Sequence, residues 1–280
     1  MLNEDFIKES IDRTINSKYK KVFHDLNPMW AEHWYYNNIL NSYKGINYCH
    51  FVITDNNALS DDVIKKLFSE YNKDSVWFKR DILGQRIASE GIIFKQINER
   101  PADYIANYEQ VKKCHKIIIG LDFGGSKSNT AIVACGFFDK TIIVIKSILI
   151  PTNSTIVFIA QKLKEFISDL KQITTARIVS VQADNENQIA IATLLTYRLG
   201  VPILNCNKRK IIERIRLKEK LLNSKQYFFY MPDAKTALES SKRQLWSDKN
   251  RDTRLDDGLI DIDSADAEEY CWTSIPFLFI

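Results

Sequence analysis

Several signatures that would place a chain of this length quickly are missing. No stretch reads G-x-x-x-x-G-K-[ST], so there is no phosphate-binding loop and ATP binding is not expected of this chain alone. No G-x-S-x-G elbow is present, which leaves acyl transfer without support. No run approaches the ~18 apolar residues needed to span a bilayer, and the opening MLNEDFIKES is polar and acidic, so neither membrane insertion nor secretion is expected. The five cysteines, Cys49, Cys114, Cys135, Cys206 and Cys271, are scattered, odd in number and never spaced C-x-x-C. That pattern argues against a disulfide scaffold, a redox motif or a zinc ribbon, and suits a reducing cytosol. His24, His33, His50 and His115 have no cysteine at metal-ligating spacing and read as structural. With six prolines, nine glycines and no repeat, nothing resembles a long flexible linker.

What is there is an ordinary core-forming composition, 45% hydrophobic and 26% charged over 280 residues, enough for two domains. The net charge of +4 is unevenly placed. Segment 202–227 holds eight basic side chains against two acidic ones, and 248–269 holds nine acids against three bases. A basic stretch close to an acidic one suits a metal-dependent enzyme acting on a polyanion, in which cations hold phosphates and carboxylates hold the metal. A solvated helix face beside an acidic loop gives the same signal.

The clearest boundary lies at 98–115, where NERPADYIANYEQVKKCHK is polar and precedes the strand KIIIGLDF (116–123). Downstream the periodicity predicts strands at 131–137 and 141–149, a helix at 155–171, a strand at 176–184 and a helix at 187–199. A short strand (201–205), a basic helix (209–223), a strand (226–230), a helix (233–247) and a last helix from 264 complete it. Strands paired by short turns and then joined through helices imply an α/β domain with a mixed sheet flanked by helices. The run Tyr227–Tyr230 fits a core strand better than a base-stacking platform. Residues 1–98 predict strands at 21–25 and 48–53, the turn Asn27-Pro28, and helices at 29–40 and 60–71, a partial α/β fragment.

Three acids stand where α/β sheets place ligands. Asp122 ends one strand, Asp184 ends another, and Asp266 lies on the final helix. Three converging carboxylates need a cation between them, and hard oxygen donors select Mg²⁺ or Mn²⁺ over zinc. Two such ions ~4 Å apart support phosphodiester cleavage. Each aspartate read singly is also a common turn former. Asp263 could ligate a metal or cap the last helix, standing just ahead of Ser264. Asp256, Asp257 and Asp261 read as a solvated loop, and Glu268 and Glu269 follow Asp266 too closely to share its face.

Taken together, NPMWAEHWYYNNIL (27–40), FVITDNNALSDDVIKKL (51–67), SVWFKRDILGQRIASEGIIFKQI (75–97), GLDFG (120–124), VQADNENQ (181–188), NKRKIIERIR (207–216) and LDDGLIDIDSADAEEY (255–270) have a specific order and spacing. In these blocks the chain resembles the large subunit of tailed-phage DNA-packaging terminases, in the group found in phages and PBSX-like prophages of low-GC Gram-positive bacteria. The resemblance implies that residues 1–98 are the end of an ATPase domain without its Walker motifs, 99–115 a linker, and 116–280 an RNase H-like nuclease domain. It implies two-metal (Mg²⁺ or Mn²⁺) cleavage of concatemeric double-stranded DNA by Asp122, Asp184 and Asp266. Asp263 falls where some relatives carry a histidine beside the metals. Lys208, Arg209, Lys210, Arg214 and Arg216 become DNA-backbone contacts. The implied partners are duplex DNA, the small terminase subunit and the portal protein, in the cytoplasm of the bacterial host, and a split or truncated gene product is one reading of the missing Walker motifs.

Two other readings share these residues. One is a remnant that keeps the fold without cutting. The other is a phosphate-binding lobe of the sugar kinase and actin type, suggested by IGLDFGGSKSNTAIV (119–133) but lacking a second lobe and a later Gly-Gly pair.

Overall fold

The computed structural model describes residues 4–29, 33–71, 73, 75–87, 91–125, 128–247, 252–256 and 261–275. They fall into two compact units, Met1–Ser89 and Glu90–Ile280.

The first unit is helical. It holds α1 (Glu4–Asp12), a π-helical turn over Tyr35–Leu40, a short 3-10 turn, α2 (Asp61–Glu70) and a second π-turn over Phe78–Ile82. Ser60 caps α2 by accepting the Val63 N–H, as its place ahead of an acidic first turn suggests. Ile7 of α1 packs with Met29, Tyr35, Tyr36 and Ile39 in a small core. The Arg86 guanidinium lies over Tyr36 at 4.1 Å and Tyr48 at 5.0 Å. The strands expected at 21–25 and 48–53 do not form: both stretches lack regular strand structure, and Phe23 and Phe51 face solvent. An apolar run becomes a strand only when a neighbour pairs with its backbone, and no strand forms among the described residues of this unit.

The second unit is built on a seven-stranded sheet ordered β1-β7-β4-β3-β2-β5-β6. A short helix, α3 (Lys95–Glu99), precedes β1 (Ile105–Ala106) and α4 (Tyr108–Lys112), which starts at a capping box formed by Asn107 and Gln110. The stretch 99–115, expected as a linker, thus supplies an edge strand, because β1 pairs in parallel with β7 (Tyr227–Tyr230). β2 (Lys116–Asp122), β3 (Thr130–Phe138) and β4 (Thr141–Ile150) form an antiparallel meander. Next come α5 (Ile156–Ile173), β5 (Arg177–Ala183), α6 (Gln188–Thr196) and β6 (Ile203–Asn205), with β5 and β6 parallel to β2 in series. α7 (Ile211–Asn223), β7, α8 (Lys235–Arg243) and α9 (Asp263–Thr273) complete the unit. Every element expected from 116 onward is present, as an RNase H-like mixed sheet flanked by helices.

Alternation along the strands decides what faces what. Ile117, Ile119 and Leu121 of β2 join Ile132 and Ala134 of β3, Val181 and Ala183 of β5, and the Ile159, Leu163, Phe166 and Leu170 stripe of α5 in one core. The residues in between, Gly120 and Asp122 on β2 and Ser180 and Gln182 on β5, therefore point to the opposite face, where α9 lies. The approach of α9 depends on Gly120: a Cβ there would stand 1.7 Å from the Ala267 carbonyl oxygen. That obstacle is backbone and cannot rotate away. Gly120→Ala should therefore push α9 off the sheet and destabilise the protein by about 1–3 kcal/mol, read as a lower urea midpoint than the parent's.

Candidate active site

β2 and β5 run in parallel with Leu121 opposite Ala183, so the next residues, Asp122 and Asp184, leave adjacent strands at the same rim. The Asp184 N–H donates to the Leu121 carbonyl at 3.0 Å. Asp266 arrives from α9 on the same face. Asp122 experiences all of these charges. Burial raises its pKa well above the usual carboxylate range, and the charges of Asp266, Asp184 and Asp263 push the same way against the opposing pull of Lys208. The phenol of Tyr270 donates to Asp122 Oδ1 at 3.4 Å, and its own pKa is raised by burial and by the charges of Asp122, Asp266 and Asp184.

Asp263 does not cap α9. It is the first residue of the helix, and its Oδ2 accepts the Asn129 N–H at 2.8 Å, tying the start of α9 to the turn between β2 and β3. The capping bond belongs instead to Asp261, expected as loop, whose Oδ1 accepts the Ser264 N–H at 2.9 Å. Asp257, expected in the same loop, lies outside the described residues. The Asp263 carboxyl is raised to about 6, chiefly by burial, with the Asn129 bond opposing.

The basic segment divides by direction. Lys208 lies just past β6, whose end at Asn205 is level with Ala183. Its ammonium reaches Asp184 Oδ1 at 2.7 Å and Glu186 Oε1 at 2.8 Å. Lys210 is exposed and Arg216 half-buried. Arg209 donates through Nε to the Thr273 carbonyl at 3.1 Å. Arg214 is buried, and its Nη1 contacts Asp266 Oδ1 at 2.8 Å and Glu269 Oε2 at 2.6 Å. An arginine held inside the protein by two carboxylates is not available to a DNA backbone, so Arg214 is corrected from a DNA contact to a counter-ion of α9. Helical periodicity carries the signal for this: Arg214, Leu217, Lys218 and Leu221 share the inward face of α7.

Sequence reasoning missed the partners of this face. Arg254 pairs with Glu269 and lies 3.4 Å from Asp266. Glu268, fully buried, pairs with Lys218 and accepts from the Tyr227 hydroxyl at 2.5 Å. Two acids set aside as poor metal ligands thus fasten α9, the helix that carries Asp266.

The donor chemistry fits a hard divalent cation, because the rim offers carboxylate oxygens and Asp122 is a desolvated carboxyl among like charges. As placed, however, no three His, Cys, Asp or Glu side chains among the described residues are grouped to hold one ion. Asp184 is drawn toward Lys208, and Asp266 toward Arg214 and Arg254. No helix is long and apolar enough to cross a membrane among the described residues.

The architecture defined by this sheet and helix set is shared with solved large terminases. The chain superposes on the large terminase of a thermophilic bacteriophage with TM-scores of 0.81 and 0.80 in two crystal forms, at 20% identity over 98% of this chain. It spans about two thirds of that terminase's length. It also matches the nuclease domain of the P22 large terminase, with TM-score 0.50 and 12% identity over 66% of this chain and 93% of that domain. The fold is therefore that of a large terminase, including its nuclease part. No family model and no curated protein matches the sequence.

Proposed function

We propose that this chain is the nuclease-bearing part of a DNA-packaging terminase large subunit, a metal-dependent endonuclease that cuts concatemeric duplex DNA in the bacterial cytoplasm. Residues 116–280 form the nuclease and the first 98 the end of an ATPase domain. The observation that supports the reading is that Asp122 and Asp184 stand at the ends of adjacent parallel strands, with the charges of Asp266 and Asp263 acting on Asp122, in a sheet with the large-terminase fold. Two Mg²⁺ or Mn²⁺ ions, when bound, would supply an activated water and stabilise the leaving oxygen. Asp122, Asp184 and Asp266, with Asp263 beside them, are the residues to hold them. Lys208 stands at that rim, and Arg209, Lys210 and Arg216 of the same basic segment are the further positive charge for a phosphate backbone, while the small terminase subunit and the portal are the partners the family likeness suggests. The remnant reading draws on one observation, the lack of three grouped ligands among the described residues.

The two readings separate on supercoiled plasmid. The purified full chain should nick and linearise it with Mn²⁺ or Mg²⁺ and leave it intact with EDTA, and a preparation inert with both ions would favour the remnant. A second measurement addresses the basic segment. Replacing Lys210 and Arg216 together with alanine should weaken duplex binding for all sequences alike and flatten its dependence on salt, by about one unit of log–log slope per lost phosphate contact. An unchanged slope would remove both residues from the DNA path.

A further inference from the structure

The cation nearest the candidate centre belongs to the protein. Lys208 bridges two carboxylates of unlike character: the side chain of Asp184 is 11% exposed and that of Glu186 79%, with distances of 2.7 and 2.8 Å. The bridge is built into the backbone. The Glu186 N–H donates to Asp184 Oδ1 at 2.9 Å, an Asx turn that sets both acids within reach of one ammonium. The β5–β6 register brings Lys208 there from the neighbouring strand. Its Nζ also lies 5.9 Å over the ring of Tyr270, whose hydroxyl contacts Asp122.

Charge at the rim is incompletely matched. Arg214 and Arg254 face Asp266 and Glu269, two against two. Lys208 alone faces Asp184 and Glu186, and no cationic side chain among the described residues pairs with Asp122 or Asp263. A single ammonium satisfies Asp184 and leaves Asp122 without a counter-charge, whereas a divalent ion could serve both. The lysine also supplies a reason why the acids are not grouped: it draws Asp184 toward the outer rim and Glu186.

We propose that Lys208 is an intramolecular stand-in for the divalent cation. It holds Asp184 in the metal-free protein, yields that carboxylate when a cation binds, and stays at the rim on Glu186, where its ammonium meets a phosphate of the DNA. The inference rests on the nuclease reading, and its test can fail separately.

Mn²⁺ binding to the full-length protein without DNA, followed by the EPR signal of free Mn²⁺, should be several-fold tighter in Lys208→Met than in the parent, because a competing cation has been removed. Lys208→Arg, which keeps the charge, should return toward the parent value, and Lys208→Gln should repeat the Met result. In plasmid cutting at saturating metal, Lys208→Met should raise KM for DNA more than it lowers kcat. Equal or weaker Mn²⁺ binding in both neutral variants, with the parent binding Mn²⁺ and cutting, would overturn the counter-ion role and leave the nuclease standing. A parent that neither binds Mn²⁺ nor cuts would overturn both.

Discussion

Asp122→Asn is expected to abolish metal-dependent cutting and, in the absence of metal, to raise the melting temperature. The loss follows from geometry: Asp122 ends β2, an interior strand flanked by β3 and β5, on the face that α9 covers, and is the carboxyl on which the charges of Asp266, Asp184 and Asp263 all act. Losing an ion-holding ligand removes several kcal/mol of transition-state stabilisation, about a thousandfold or more in rate. The gain follows from the same surroundings. A carboxyl whose pKa is raised on folding stabilises the fold most at pH below its unfolded value, near 4, and loses that contribution as pH rises through the folded value. At neutral pH the Asp122 charge therefore opposes folding, and a neutral amide of the same shape does not. Melting curves of parent and variant should diverge at pH 7 to 8 and converge in acid. Undiminished cutting by Asp122→Asn would remove Asp122 from the site. A variant that loses activity and also melts lower would show damage to the fold instead of the loss of a ligand.

The second unit was legible because each of its elements carries a local signal. KIIIGLDF can be little but a buried strand, and the Ile159, Leu163, Phe166, Leu170 spacing fits one face of one helix. Asp122 and Asp184 could be placed at a common rim because strand ends are readable and parallel neighbours end together. What could not be read was partner choice among charges. Lys208, Arg214 and Lys218 belong to one basic segment, yet Lys208 bridges rim acids, Arg214 pairs with Asp266 and Glu269, and Lys218 is sealed against Glu268. Those pairings link residues up to 55 positions apart in the chain and depend on how α7 meets α9. The capping of α9 was misread by two positions for a related reason: Asp261 and Asp263 are equivalent as sequence, and the turn at Asn129 claims one of them. In the first unit, apolar runs at 21–25 and 48–53 read as strands because periodicity records the side chains and is silent about whether a neighbouring backbone exists.

Lys218→Met should strongly destabilise the second unit. Lys218 is fully buried on α7 and donates to Ser241 Oγ at 2.7 Å as well as to Glu268. Its ammonium lies among the rings of Phe94, Tyr227 and Phe229 at 5.0, 5.2 and 5.6 Å. Glu268 holds α9 through the same oxygen that accepts from Tyr227, whose hydroxyl in turn accepts from the Trp272 indole at 3.2 Å. Burial already raises the Glu268 pKa, with Lys218 and Tyr227 opposing it. Methionine would fill the space and leave Glu268 as an uncompensated buried charge, at a cost of about 3–5 kcal/mol, which for a unit of this size is roughly 6–20 °C in melting temperature. Because Glu268 would then take up a proton on folding, the deficit should shrink toward acid and grow as pH rises through its further-raised pKa. Lys218→Met combined with Glu268→Gln should recover most of the loss, since the amide carbonyl can still accept from Tyr227 and carries no charge. Urea midpoints of the parent, both single variants and the double variant form the cycle that measures the pair. If the double variant is no more stable than Lys218→Met alone, the buried charge is not what the lysine offsets, and the attachment of α9, with Asp266 near its start, must be sought in the apolar contacts around Trp272.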